Sequence, residues 1–302
     1  MRMTKSWLDK PPESQANMNT SHRIHNGFWL IALCGLALCA PAKAQEEHAW
    51  QFEEIAGNKI AWSCEGKGEP PIVLVAGMGL SAHDSFRHTY HSYDGPGRIC
   101  MYDRAGMGMS SFEEPATRTI EQLVSELHTL HQRRNWGRVV LVGHSFGGFI
   151  ARIYVAKYPR EVAGILFLDA PHEDWLPRLK RNMLPADWAI MERILQWNIK
   201  LFHEDYLQAQ EVVRETRFPK DLPITVITRG LAHTQIRLER MSYGGIDLFD
   251  GEHKALQSDL AKLSSNSQDR VAKYASHVID DYDPWLVIDE IKSLAERVKS
   301  DP

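Results

Sequence analysis

Val139-Val140-Leu141-Val142 is a short aliphatic run of the kind that forms a buried strand, and Phe149 to Tyr158 is a helical pattern that stops before Pro159. Only Gly143-His144-Ser145-Phe146-Gly147-Gly148 joins them. A strand-to-helix turn that tight forces its central residue into a strained backbone conformation. Side chains two positions to either side would collide, so glycine belongs there. Ser145 then projects its Oγ past the strand end, at the N-terminus of the helix. The N–H of Phe146 and the helix dipole favour a developing anion at that point.

The rest of the chain repeats this alternation. Ile72–Ala76, Arg98–Tyr102, Gly164–Leu168, Ile224–Thr228 and Arg270–Tyr274 read as further strands. Uninterrupted β-branched runs mark strands covered on both faces, as in a parallel sheet. Thr119–Leu130 and Pro284–Val298 carry helical periodicity, the second with Leu286, Ile288 and Ile291 expected to turn inward. Strands alternating with such helices predict a doubly wound, mostly parallel α/β sheet. Residues 49–62 predict an antiparallel hairpin turning at Gly57-Asn58. Residues 172–220 hold no strand-like run, only aromatic-rich helical stretches, and predict a helical lid inserted between two strands.

Residues 1–44 read as a signal peptide outside the fold. An apolar run from Phe28 to Ala40 follows Arg23 and precedes Ala42-Lys43-Ala44, a cleavage pattern. The run is shorter than the ~20 residues a membrane-spanning helix needs. Met18 is an alternative start that would shorten the leader, and acylation of Cys39 is the lipoprotein alternative. Export to the periplasm or medium follows as the expectation, without stable membrane insertion. Beyond the leader Cys64 and Cys100 remain, which fits one disulfide or two buried thiols. A net charge of −4 without a long basic run argues against nucleic acid and leaves a small molecule as the expected partner. The spacing of His83, His88 and His91 matches no standard ligand pattern, so no metal is expected.

In order, these motifs resemble the α/β-hydrolase superfamily over residues 49–300. Val73 to Gly79 resembles its oxyanion strand and loop, with Ala76 where a histidine is usual. Tyr102 to Ser110 matches its D-x-x-G-x-G-x-S segment, and Ser276 to Asp281 resembles the segment carrying its histidine. The resemblance implies Ser145 as nucleophile, His277 as base, and the backbone N–H groups of Met78 and Phe146 as oxyanion donors, with His144 pointing away from the nucleophile. It makes the strands bearing Cys64 and Cys100 neighbours, and so implies a bridge between them. For the acid, Asp169 at a strand end is expected, with Glu173, Asp174, Asp247 and Asp259 as alternatives. The implied reaction is hydrolysis of a carboxylic ester or related acyl bond, with no cofactor, and the apolar lid expected over residues 172–220 suggests a small apolar substrate. Amide, peptide or carbon–carbon bond hydrolysis is the rival chemistry, and a non-catalytic binding module the rival class.

Overall fold

The computed structural model describes residues 49–113, 116–233 and 241–299. The expected leader, with Met18 and Cys39, lies outside the described residues.

An eight-stranded sheet organises the domain. Its strands are β1 (Gln51–Ile55), β2 (Asn58–Glu65), β3 (Ile72–Val75), β4 (Ile99–Tyr102), β5 (Val139–His144), β6 (Val162–Leu168), β7 (Ile224–Arg229) and β8 (Ser267–Ala272). Their spatial order is β1-β2-β4-β3-β5-β6-β7-β8. The β1–β2 and β2–β4 pairs are antiparallel; every other pair is parallel. The helices are α1 (Ala82–Ser92), α2 (Ile120–Arg134), α3 (Gly147–Lys157), α4 (Trp175–Asn182), α5 (Pro185–Phe202), α6 (Tyr206–Glu215), α7 (Tyr243–Ala261) and α8 (Pro284–Lys299). None of the described helices is long and apolar enough to cross a membrane.

Successive strand residues point to opposite faces, and the core follows that rule. Val73 and Val75 of β3 pack with Leu123, Phe149 and Ile153 of α2 and α3. Ile72 and Leu74 pack on the other face with Phe86 and Tyr90 of α1 and Val287 and Ile291 of α8. Each such side chain contributes about 1.5–3 kcal/mol by leaving water. With helices on both faces, β3, β5, β6 and β7 are buried throughout.

Three local differences from the sequence pattern have simple causes. The hairpin turns at Ala56-Gly57, not Gly57-Asn58, because Ile55 pairs with Asn58 and leaves two loop residues, both at positive φ. The last strand spans Ser267–Ala272, not Arg270–Tyr274; it is a sheet edge, where Val271 and Tyr274 remain exposed. On α8, Val287 replaces Leu286 among the fully inward residues. Between β6 and β7 the chain forms α4, α5 and α6 and no strand.

The antiparallel β2–β4 register sets Cys64 opposite Cys100, and a disulfide joins them.

Candidate active site

Ser145 sits between β5 and α3 at φ 51°, a left-handed value that non-glycine residues rarely adopt. The neighbours that permit this are tightly packed. A Cβ on Gly147 would lie 2.1 Å from the Val75 carbonyl oxygen, and one on Gly143 would lie 2.8 Å from the Gly147 carbonyl oxygen. The Ser145 N–H donates to the Leu168 carbonyl at 2.9 Å, so this strand-to-helix turn still hangs from the sheet.

His277 lies in the loop between β8 and α8. Its Nε2 is 2.9 Å from Ser145 Oγ, and its Nδ1 is 2.6 Å from Asp169 Oδ2. Asp169 stands just past β6, fully buried, at φ 44°. The structure thus brings together the serine, histidine and first-choice aspartate named by the sequence. The alternatives are engaged elsewhere or exposed. Glu173 pairs with Arg152, Asp174 with Arg214 and Asp259 with Lys262, while Asp247 is exposed on α7.

Asp169 has partners that no sequence motif announces. Arg229 Nη1 donates to Oδ2 at 2.5 Å, the Arg229 N–H reaches Oδ1 at 3.3 Å, and His253 Nε2 lies 2.9 Å from Oδ1. Burial alone would raise the carboxyl pKa. His253 and His277 beside it more than reverse this and hold it well below the usual carboxylate range. Arg229 in turn donates to Asp250 at 2.6 Å. Both Asp250 and His253 come from α7, whose glycines hide it from a periodicity reading.

Two more imidazoles flank His277. The His233 ring stacks on it at 4.2 Å between centroids, and the His144 ring lies at 4.9 Å. Burial, together with the neighbouring His277, pushes His233 down to about 2 and His144 down to about 3. Both are therefore neutral near pH 7, and no cation presses on His277 from either ring. The expectation that His144 turns from Ser145 matches its contacts: its Nδ1 meets Ser85 Oγ at 3.3 Å and its Nε2 meets the His277 carbonyl at 3.0 Å. His83, His88 and His91 are all exposed on α1.

A cavity of about 410 Å³ opens over Ser145. Met78 and Phe146 line it, and among the described residues neither backbone N–H makes a hydrogen bond. Its walls are apolar: Leu176 of α4, Met191, Leu195, Trp197 and Phe202 of α5, and Tyr206 of α6. Asp169 is the only acidic side chain among the described lining residues.

A model of the alpha/beta hydrolase fold matches residues 70–288. A proline iminopeptidase from Lactobacillus helveticus is 33% identical over 157 residues, covering 49% of this chain and 53% of that protein. The chain spans about half the length of the proline iminopeptidases it matches. Alpha/beta hydrolase domain-containing protein 10 from mouse superposes with a TM-score of 0.61 at 13% identity, covering 83% of this chain and 99% of the other. A thermophilic esterase from Thermogutta terrifontis superposes with a TM-score of 0.56 at 18% identity, covering 83% and 99%. These two share the fold. With the model matched across most of the described domain, the chain belongs to the alpha/beta hydrolase family.

Proposed function

We propose that the chain is a serine hydrolase that cleaves carboxylic esters, or closely related acyl bonds, of small apolar substrates. The observation that carries this reading is the continuous Ser145–His277–Asp169 contact at the floor of an apolar cavity. Ser145 Oγ attacks the carbonyl carbon while His277 Nε2 takes its proton. Asp169 holds the Nδ1–H tautomer, which leaves Nε2 free to accept. The N–H groups of Met78 and Phe146 receive the oxyanion. His277 then returns the proton to the departing alcohol, and water, activated by the same imidazole, releases the acyl group. Helices α4 to α6 act as a lid that excludes water and grips the apolar part of the substrate. The leader pattern and the Cys64–Cys100 bridge support export.

Peptidase chemistry is the second reading, favoured by the iminopeptidase relatives. An aminopeptidase substrate brings a free ammonium group, and burying it without a carboxylate partner is costly. The described cavity lining offers only Asp169, whose oxygens are already taken by His277, His253 and Arg229. The ester reading therefore predicts turnover of p-nitrophenyl esters and none of prolyl arylamides. A fluorophosphonate should label wild type and not Ser145→Ala, and the variant should lose esterase activity by roughly 10⁴-fold or more. Labelling or turnover by Ser145→Ala refutes the mechanism.

A further inference from the structure

The family segment Asp103-Arg104-Ala105-Gly106-Met107-Gly108-Met109-Ser110 closes on itself. Asp103 accepts the Ala82 N–H at 2.7 Å and the Met109 N–H at 2.8 Å. Ser110 Oγ donates to the Asp103 carbonyl at 2.6 Å, and a Cβ on Gly108 would lie 2.0 Å from Asp103 Oδ2. The Arg104 carbonyl accepts the Met107 N–H at 2.9 Å, but the side chain takes no part in that closure. It occupies an open position of the pattern and turns toward the loop after β3.

There it binds two consecutive carbonyls. Arg104 Nη1 donates to Ala76 O at 2.8 Å and Nη2 to Gly77 O at 2.7 Å. Its Nε donates to Glu204 Oε1 at 2.6 Å, and Glu204 Oε2 accepts the Gly79 N–H at 3.2 Å. Both side chains are buried, Arg104 at 1% and Glu204 at 0% exposure. Arg118 stands 3.7 Å from the same Glu204 carboxylate. Glu204 lies between α5 and α6, in the segment inserted between β6 and β7.

The geometry points to Arg104 and Glu204 as positioning residues for the Met78 N–H, an inference that rests on the oxyanion role proposed above. The Gly77 carbonyl and the Met78 N–H belong to one planar trans peptide, so they point in opposite directions. Fixing the carbonyl on a buried guanidinium aims the N–H the other way. The cation also polarises that peptide and strengthens the N–H as a donor. Glu204 fixes the following amide at Gly79 and offsets the buried charge of Arg104. The lid segment thereby supplies part of the support of the oxyanion loop.

Removing one partner would strand a buried charge, whereas replacing both by apolar groups of similar size often leaves stability intact. The decisive variant is therefore R104M/E204L. It should melt within a few degrees of wild type, yet lose about 10- to 100-fold in kcat, with KM changed less than about twofold, because an oxyanion donor acts in the transition state. Fluorophosphonate labelling of Ser145 should slow in parallel. A folded double variant with wild-type kcat overturns the proposal. If the double variant does not fold, Glu204→Asp decides, since it keeps the charge opposite Arg104 but falls short of the Gly79 N–H. Reduced kcat at unchanged KM supports the assignment, and wild-type kcat overturns it. Wild-type protein that resists labelling overturns the serine mechanism itself, so the two failures are distinguishable.

Discussion

Asp169 accepts from more groups than any motif would have required of it. Asp169→Asn should keep the fold, because Arg229 retains Asp250. It should lower kcat by roughly 10³–10⁴-fold, since an amide no longer enforces the productive imidazole tautomer. Steady-state kinetics on a soluble p-nitrophenyl ester checks this; near-normal turnover in a folded Asp169→Asn protein would discard Asp169 as the acid. Ser145, Asp169 and His277 were legible because each marks a strand end or follows one in the order the fold demands. His253 and Glu204 were not. They meet their partners across 84 and 100 residues of chain, and an isolated buried polar residue carries no local pattern. Even so, Arg104 stood inside a recognisable motif, and a permanently charged residue in a turn that otherwise closes on itself was a usable signal.

Elements show the same division. The periodic α2 and α8 were legible, because their buried stripes repeat at helical spacing, whereas α3, buried on all sides from Gly147 to Val155, was legible from its place between the glycine-flanked turn and Pro159. Helix α7 was not: Gly244, Gly245 and Gly251 depress its intrinsic propensity, and it forms through a Ser242 cap and the burial of Phe249, Leu256 and Leu260. The polar sequence of α1 likewise hides Phe86 and Tyr90, which pack inward. Helix α5 carries the substrate prediction. Leu195 is 6% exposed and lines the cavity, so Leu195→Ala enlarges the space available to an acyl chain. The ratio of kcat/KM for longer over shorter esters should rise by roughly fourfold per added methylene, the equivalent of about 0.8 kcal/mol. A p-nitrophenyl ester series from acetate to octanoate measures it. An unchanged ratio would mean that the acyl chain lies elsewhere.

For the molecule as a whole, the Cys64–Cys100 bridge closes a loop with a sequence separation of 36. Replacing both cysteines by serine should cost about 3–4 kcal/mol by the chain-entropy estimate, visible in urea unfolding, while kcat at 25 °C holds. Glu126 sets a pH dependence. Burial, outweighing the neighbouring Arg118, raises its carboxyl to about 7. The proton is thus held more tightly in the folded state than in the unfolded one. Its stabilising contribution is complete below the ordinary carboxylate pKa and is lost as pH rises through about 7. Wild type should therefore lose stability relative to Glu126→Gln between pH 5 and pH 8, and parallel melting curves would refute this. The sheet has one more consequence. The β5–β6 register pairs His144 with Leu168, so Ser145 and Asp169 are the next residues out on adjacent strands. Their separation is inherited from the backbone hydrogen bonds of the sheet, like two teeth on one comb. A chimera that grafts foreign sequence over residues 172–203 should keep that gauge and alter only what is cleaved, whereas a graft extended one residue further removes Glu204 and blunts the chemistry as well.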